Sequence, residues 1–287
     1  MRIAVIGANG QLGTDLMAAL PDAIPLNRAD LELTDPASVE QALRELAPNL
    51  VINTAAYNLV DQAEDHPELA FAVNRHGPAS LARWCAKQDA VLVQISTDYV
   101  FGGDPGQRSP LVESDRPLPV SVYGSSKFAG EEAVKQLCPQ HFIIRTCGLY
   151  GRAATKTKGN FVNTMLRLAD ERPELRVVHD QYCTPTYTQD VAAQIALLVR
   201  KGGSHQFGTY HVTNAGKTSW FDVATEALRL AGKSTPVLPI STEEYPTRAL
   251  RPAYSVLNCD KIQSVTGQKI PHWEDALARY LKEIQVT

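Results

Sequence analysis

Two short stretches carry residue types that could do chemistry together. Gln94-Ile95-Ser96-Thr97-Asp98-Tyr99 reads as the end of a buried strand, Ala90 to Ile95, running into polar residues; Tyr123-Gly124-Ser125-Ser126-Lys127 reads as the start of a helix. In a helix Tyr123 and Lys127, four residues apart, share one face. That spacing suits a phenol that donates a proton, its pKa lowered by the neighbouring ammonium. A hydroxyl from Ser96 or Thr97 would hold the oxygen that receives the proton. Ketone reduction is chemistry of this kind, because alkoxide charge develops where the donor stands. A Tyr-xxx-Lys pair alone is weak, since chance supplies many. Its weight here comes from a second motif at the other end of the same expected sheet.

That motif follows a short apolar strand, Ile3 to Ile6, which enters Gly7-Ala8-Asn9-Gly10-Gln11-Leu12-Gly13 and then a helix with Leu12, Leu16, Met17 and Leu20 on one side. Strand, GxxGxxG, helix is a dinucleotide-binding context. Gly7 permits the tight turn, Gly10 lets backbone approach a pyrophosphate, and Gly13 allows close packing of helix on sheet. The helix start offers unbonded N–H groups and a positive dipole end to the phosphates. The second strand, Ala23 to Leu26, ends in Asn27-Arg28 where NAD sites usually carry an acidic residue; Asp30 comes slightly later. Arg28 suits the 2′-phosphate of NADPH and would serve equally as a solvated arginine. The expected cofactor is therefore NADPH or NADH, with a lean to NADPH, and Asp30-Leu31 is expected along the adenine. After a third strand, Leu50 to Asn53, the small residues of Thr54-Ala55-Ala56-Tyr57 leave room for a dinucleotide to cross the sheet edge. Asn74 closes a helix expected from Asp61. Two roles stay open for it: holding an adjacent strand carbonyl, or ordering Lys127 through water.

These elements imply an α/β protein with a Rossmann-type doubly wound parallel sheet and a smaller, discontinuous C-terminal substrate domain. Residues 1–147 would form the nucleotide-binding domain, with 184–212 returning to it, and 148–183 and 213–287 the substrate domain. Asp35 and Pro36 start one helix, Pro78 to Ala86 forms another, and His141 to Arg145 is a strand. Val100 to Pro119 is a Gly-, Pro-, Asp- and Ser-rich loop whose length fits a place beside an active site, with Glu113 and Asp115 facing solvent. Beyond Thr146 come the basic stretch Arg152 to Gly159, a helix Phe161 to Leu168 and a strand Leu175 to Val178. A helix Asp190 to Arg200, a strand His205 to Val212, and helices Ser219 to Ala231 and Trp273 to Ile284 follow. Arg251 would bring a positive side chain over the carboxyl ends of the strands.

Composition narrows the function class. The 287 residues are 44% hydrophobic and 21% charged, with formal net charge -3, which gives no electrostatic reason for a nucleic-acid polymer as partner. The glycine loop comes too soon after Met1 for a signal peptide, and no apolar run approaches the roughly 20 residues of a membrane span. Five scattered cysteines argue for reduced thiols in the cytoplasm. Together with the seven histidines they make no metal-ligand spacing.

The ordered series GANGQLG, NTAAY with Val60-Asp61-Gln62-Ala63-Glu64, STDYVF, YGSSK, RTCGLYG, CTPT and RPAYS resembles the dTDP-4-dehydrorhamnose reductase family, extended short-chain dehydrogenase/reductases acting on nucleotide sugars. The resemblance runs from residue 3 to about 257. It implies NAD(P)H on Gly7, Asn9, Gly10, Gln11, Leu12 and Gly13, with Asp30, Leu31, Ala55, Ala56, Tyr57 and Asn74 completing the cleft. Thr97 and Asp98 would meet the sugar near its C4 carbonyl, Tyr123 would donate the proton, and Lys127 would hold the nicotinamide ribose. The implied reaction is reduction of the C4 ketone of dTDP-4-dehydro-L-rhamnose. Some family members use magnesium at a dimer interface, so the resemblance extends to magnesium and a homodimer, with no residues placed for either. Two departures lie on the substrate side. Gly148 stands where the family usually has a sugar-contacting tryptophan, a gap that Tyr150 or Tyr182 is expected to fill, and Cys183 precedes Thr184-Pro185-Thr186 where a glycine-led version is common. The rival readings are a reductase or epimerase for another nucleotide sugar, and a non-catalytic subunit resembling the regulatory subunit of methionine adenosyltransferase. Dehydration would want an Asp-Glu pair where Thr97-Asp98-Tyr99 stands.

Overall fold

The computed structural model describes residues 1–154, 159–201 and 206–285; residues 155–158, within the expected basic stretch, and His205, the expected start of a strand, lie outside them. The first half alternates strand and helix: β1 (Ile3–Ile6), α1 (Gln11–Ala19), β2 (Ile24–Leu26), α2 (Pro36–Leu46), β3 (Leu50–Asn53), α3 (Val60–Asp65), α4 (Pro67–Phe71), a π-helical turn (Ala72–His76), α5 (Gly77–Lys87), β4 (Val91–Thr97), α6 (Val122–Leu137) and β5 (His141–Thr146). The second half is more broken: β6 (Leu149–Tyr150), α7 (Phe161–Glu171), β7 (Leu175–Val178), β8 (Tyr182–Cys183), β9 (Thr186–Tyr187), α8 (Thr188–Lys201), β10 (Gly208–His211), β11 (Thr218–Ser219), α9 (Trp220–Leu230), β12 (Val237–Ile240), α10 (Asp260–Thr266) and α11 (Trp273–Gln285).

One six-stranded sheet, ordered β2-β1-β3-β4-β5-β10, is parallel at every pairing. All four residues of β1 are buried, as they must be when helices cover both faces. Ile3 and Val5 pack against Leu12, Leu16, Val191 and Ile195 of α1 and α8, whereas Ala4 and Ile6 pack against Val39, Leu43, Leu81 and Val134 of α2, α5 and α6. The period-2 alternation of a strand thus divides the core into two layers. This is the doubly wound architecture expected from the repeated strand-helix pattern.

Local chemistry explains where expectation and structure agree or part. Asp35 caps α2 by accepting the Ala37 amide at 2.9 Å, with Pro36 in the first turn. The single helix expected from Asp61 to Asn74 is instead broken at His66, which leaves the helical region (φ -130, ψ 58) before Pro67. A residue ahead of proline is pushed out of the helical region, and this break lets the following π-helical turn aim Asn74 inward. β12 and α10 had no strong sequence period. β12 forms by adding to β7, so its structure is tertiary in origin.

The substrate side gathers α7, α9 and α11 with three two-stranded ribbons, β11-β8, β12-β7 and β6-β9. Val191 and Ile195 of α8 and Tyr210 of β10 pack in the same core as β1, and β10 joins the six-stranded sheet. Residues 213–287 divide: Ile262 of α10 and Ile270 share the core of β1 and α8, whereas Trp273 and Leu277 of α11 pack with Tyr150 and Val223. We therefore propose a boundary in which 259–270 belongs with the first domain.

Gly13 shows how tightly this layering is fitted. A methyl there would overlap the Gly7 carbonyl oxygen and approach Ala8 Cα to 2.8 Å. Gly13→Ala should cost about 1–3 kcal/mol, the usual penalty of overpacking, read as a lower urea midpoint with unchanged slope. An unchanged midpoint would mean that α1 can withdraw without loss.

Candidate active site

The centre of the site is the carboxyl end of β4. Thr97, buried there, caps the short 3-10 turn Asp98–Val100 by accepting the Tyr99 amide at 3.2 Å. Its hydroxyl donates to Asp98 Oδ1 at 3.2 Å, and among side chains it is the one that most lowers the Tyr123 pKa. The Ser255 hydroxyl donates to Asp98 Oδ2 at 2.6 Å. Two hydroxyls therefore converge on one carboxyl, Thr97 and Ser255 on Asp98, joining β4 to the segment after Arg251 beside the Tyr123 end of α6. Burial raises the Asp98 pKa, opposed by Ser255, Cys147 and Thr97.

Alternation along β4 separates two residues that the sequence left as alternatives. Ser96 points to the opposite face from Thr97 and donates to Glu131 Oε1 at 2.6 Å. The expectation that Ser96 holds substrate is corrected: its hydroxyl supports the floor of the site. That floor is a fully buried ion pair in which Arg145 meets Glu131 with Nη2–Oε2 at 2.7 Å and Nε–Oε1 at 2.9 Å. Phe101 lies 5.0 Å from the guanidinium, and the buried His211 imidazole stands 3.4 Å from it. Burial, and then Arg145, depress the His211 pKa to about 3, so this imidazole is neutral.

Tyr123 and Lys127 sit one turn apart on α6, as their spacing requires. Ser121 caps this helix by accepting the Gly124 amide at 3.1 Å, and Glu64 accepts the Val122 amide at 2.8 Å. The Lys127 ammonium donates to the Ile95 carbonyl at 2.7 Å. Burial lowers its pKa to about 8, with Glu131 opposing. The Tyr123 pKa differs from expectation: burial pushes it up to about 12, because enclosure outweighs the lowering effect of the Thr97 hydroxyl and Asp98 adds to the rise. The phenol is therefore held protonated, as a proton donor must be.

At the other sheet edge, Gly7 adopts φ +81, a conformation that suits glycine, and its missing Cβ makes room for Thr54 Oγ1. Gly10 begins α1 with no side-chain cap, so the helix start presents backbone N–H groups to a phosphate. Leu12 and Leu31 bury their side chains in the core, leaving backbone for any cofactor contact. The Gln11 side chain faces the second domain, where Oε1 accepts Gly151 N at 3.0 Å and Asn160 Nδ2 at 3.1 Å. Asn9 N donates to Asn27 Oδ1 at 3.0 Å, and Asp30 accepts the Asn27 amide at 2.8 Å. Arg28 is exposed and paired with Glu32 at 2.8 Å. Ala55, Ala56 and Tyr57 line the end of β3 half-buried. Asn74 grips Tyr57 N and O, in the loop after β3, at 2.9 and 3.0 Å and donates to Ser126 at 2.9 Å.

The whole arrangement has relatives. Residues 1–286 match the family described as "RmlD substrate binding domain". The chain is 39% identical to a dTDP-4-dehydrorhamnose reductase of Sinorhizobium fredii, covering 97% of this chain and 96% of that one. It belongs to the dTDP-4-dehydrorhamnose reductase family. A dTDP-4-keto-6-deoxy-D-glucose reductase of Streptomyces niveus is 38% identical, covering 97% and 96%. The structure of a dTDP-4-dehydrorhamnose reductase from Bacillus anthracis in complex with NADP is 41% identical, with TM-score 0.91 over 98% of this chain and 99% of that one.

Within this family frame, the departure at Gly148 has a structural resolution different from the one expected. Tyr150 is buried in an aromatic cluster with Tyr187 and Tyr280, and Tyr182 stands at the surface beside Tyr254, with Lys217 over its ring. The Trp220 ring occupies the space in front of Gly148. Arg251 makes a forked pair with Asp61, Nη1–Oδ1 at 3.1 Å and Nη2–Oδ2 at 2.8 Å, so it joins the domains as well as bearing charge. Glu113, expected in solvent, is half-buried and accepts the His211 amide at 2.9 Å. Among the described residues there is no group of three or more His, Cys, Asp or Glu that could hold a metal ion. No described helix is long and apolar enough to cross a membrane. Glu131, Arg145, Gly124 and Ser255 were not singled out from sequence. A buried ion pair carries no spacing signal when its halves lie on a helix and a later strand.

Tyr123→Phe should lower the rate by roughly 10²–10⁴-fold while leaving cofactor affinity near that of the wild type. Near wild-type turnover would remove Tyr123 as the acid. The pH profile follows from Lys127, cationic below about 8 and neutral above it. If the cation is the working form, kcat/KM should fall as pH rises through about 8, long before Tyr123 titrates. A flat profile to pH 10 would contradict that role.

Proposed function

We propose that this chain uses NAD(P)H to reduce the C4 ketone of dTDP-4-dehydro-L-rhamnose, giving dTDP-L-rhamnose. The observation that carries the reading is the packing of the start of α6, with Tyr123 and Lys127, against the end of β4 at Thr97, where Lys127 reaches the Ile95 carbonyl, on the sheet whose first strand feeds the glycine loop. The cofactor's phosphates suit the turn from Gly7 to Gly13 and the open start of α1, and its nicotinamide supplies a hydride to the carbonyl carbon. Thr97 holds the carbonyl oxygen, and Tyr123 gives that oxygen its proton as negative charge builds there. Lys127 binds the cofactor ribose. Its ammonium, one helical turn from Tyr123, also keeps positive charge near the developing alkoxide. The five unpaired cysteines accord with a reducing compartment, and we assign the reaction to the cytoplasm.

Turnover decides the substrate. NADPH oxidation with dTDP-4-dehydro-L-rhamnose is expected. Turnover of a different 4-keto-6-deoxy nucleotide sugar, with none of this one, would overturn the rhamnose assignment and retain the reductase class.

We also infer a preference for NADPH, from the exposed Arg28 beside the end of β2, where Asn27-Arg28 rather than an acidic residue follows the strand directly. Arg28 must exchange Glu32 for the 2′-phosphate, so the gain is modest, about 0.5–1 kcal/mol. Arg28→Ala should raise the Kd for NADPH about 2–5-fold and leave that for NADH unchanged. Equal changes for both coenzymes would remove Arg28 from cofactor selection.

A further inference from the structure

Gly148 and Trp220 occupy one another's space. Gly148 lies just beyond β5 with φ +49, and a Cβ built on it would fall 2.9 Å from the far edge of the Trp220 indole and 3.2 Å from Pro185 Cα. A side chain at 148 and this indole cannot both fill the same volume. Trp220 is also held in place. It opens α9 immediately after Ser219, whose hydroxyl and backbone form a capping box with Asp222, and its ring packs against Phe161 with centroids 4.6 Å apart. The indole is half-buried and lines a narrow crevice with Asp98, Tyr99, Gln181, Cys183, Pro252 and Ser255. Asp98 and Ser255 are hydrogen-bonded to one another, and Asp98 also accepts from Thr97. The indole therefore lies along a crevice that opens beside Thr97, one residue from its wall at Asp98.

We propose that Trp220 is the aromatic wall of the sugar subsite, a specificity-determining residue that fills from α9 the volume left empty by Gly148. The inference rests on the reductase reading above. A deoxyhexose has an apolar face of C–H groups and a methyl, which pack on an indole, while its hydroxyls and carbonyl turn to Asp98, Ser255 and Thr97. The nucleotide part of the substrate would not touch this residue.

Calorimetric titration with dTDP-L-rhamnose and with dTDP separates sugar from nucleotide contacts. Wild type should bind dTDP-L-rhamnose more tightly than dTDP. Trp220→Ala should weaken dTDP-L-rhamnose about tenfold while changing dTDP and NADPH less than twofold, and Trp220→Phe should lie between. Gly148→Ala offers a second route if Trp220→Ala unfolds: its methyl must displace the indole and should give the same selective loss. Equal weakening of dTDP and dTDP-L-rhamnose, or no weakening of either in folded variants, would overturn the inference while leaving the reductase reading intact. A wild type that binds dTDP-L-rhamnose no better than dTDP would also overturn the inference, while the reductase reading is decided separately by NADPH oxidation.

Discussion

Helix α6 can bring Tyr123 to Thr97 only because its inner face has no side chain at the two points where it meets backbone. A methyl on Gly124 would overlap the Tyr99 carbonyl oxygen, and one on Gly130 would overlap the Asn74 carbonyl oxygen. These contacts fix the helix at both ends of its first three turns. Between them, Lys127 reaches the Ile95 carbonyl and Ser126 joins Asn74 to the Tyr123 carbonyl. The same Asn74 clamps Tyr57 at the end of β3. Close approach thus couples Tyr123, Lys127 and the loop after β3 into one packed unit, which the precise placement of reacting groups requires.

Below that unit lies the Glu131–Arg145 pair. Two buried charges are expensive, and this pair offsets the cost with a forked geometry and with Ser96 as a further donor. Its position bears on function through Lys127. Burial alone drives that lysine towards its neutral form, and the carboxylate one turn along α6 is the charge that opposes the drift. Arg145 also spreads outward, through Phe101 and His211, to the loop that follows the 3-10 turn. Glu113 on this loop bonds the amide of His211 on edge strand β10. The long segment between β4 and α6 is thereby tied to the sheet at a buried polar centre.

The second domain contributes by docking onto this frame. Gln11 reaches Gly151 and Asn160, Arg251 reaches Asp61, and Ser255 reaches Asp98, so each major joint includes a residue from a cofactor-side motif. Polar joints of this kind are weaker than a core and suit domains that must admit a ligand between them.

By itself the sequence determined the architecture and the candidate pair, Tyr123 and Lys127. Period-2 apolar strands, helix caps such as Asp35 and the strand–glycine–helix opening are local signals. Tyr123 and Lys127 declare themselves because a helix converts a spacing of four into a shared face. The ordered motifs carried the family resemblance for the same reason, each being short and contiguous. Tertiary structure decided which neighbouring hydroxyl faces the site, because the register of β4 turns Thr97 towards Tyr123 and Ser96 towards Glu131. It decided the protonation of the phenol, since enclosure by protein outweighs any local charge pairing that spacing suggests. It also decided what stands before Gly148: Trp220 is 72 residues away in sequence, and only the docking of α9 against the loop after β5 makes the two positions share one volume.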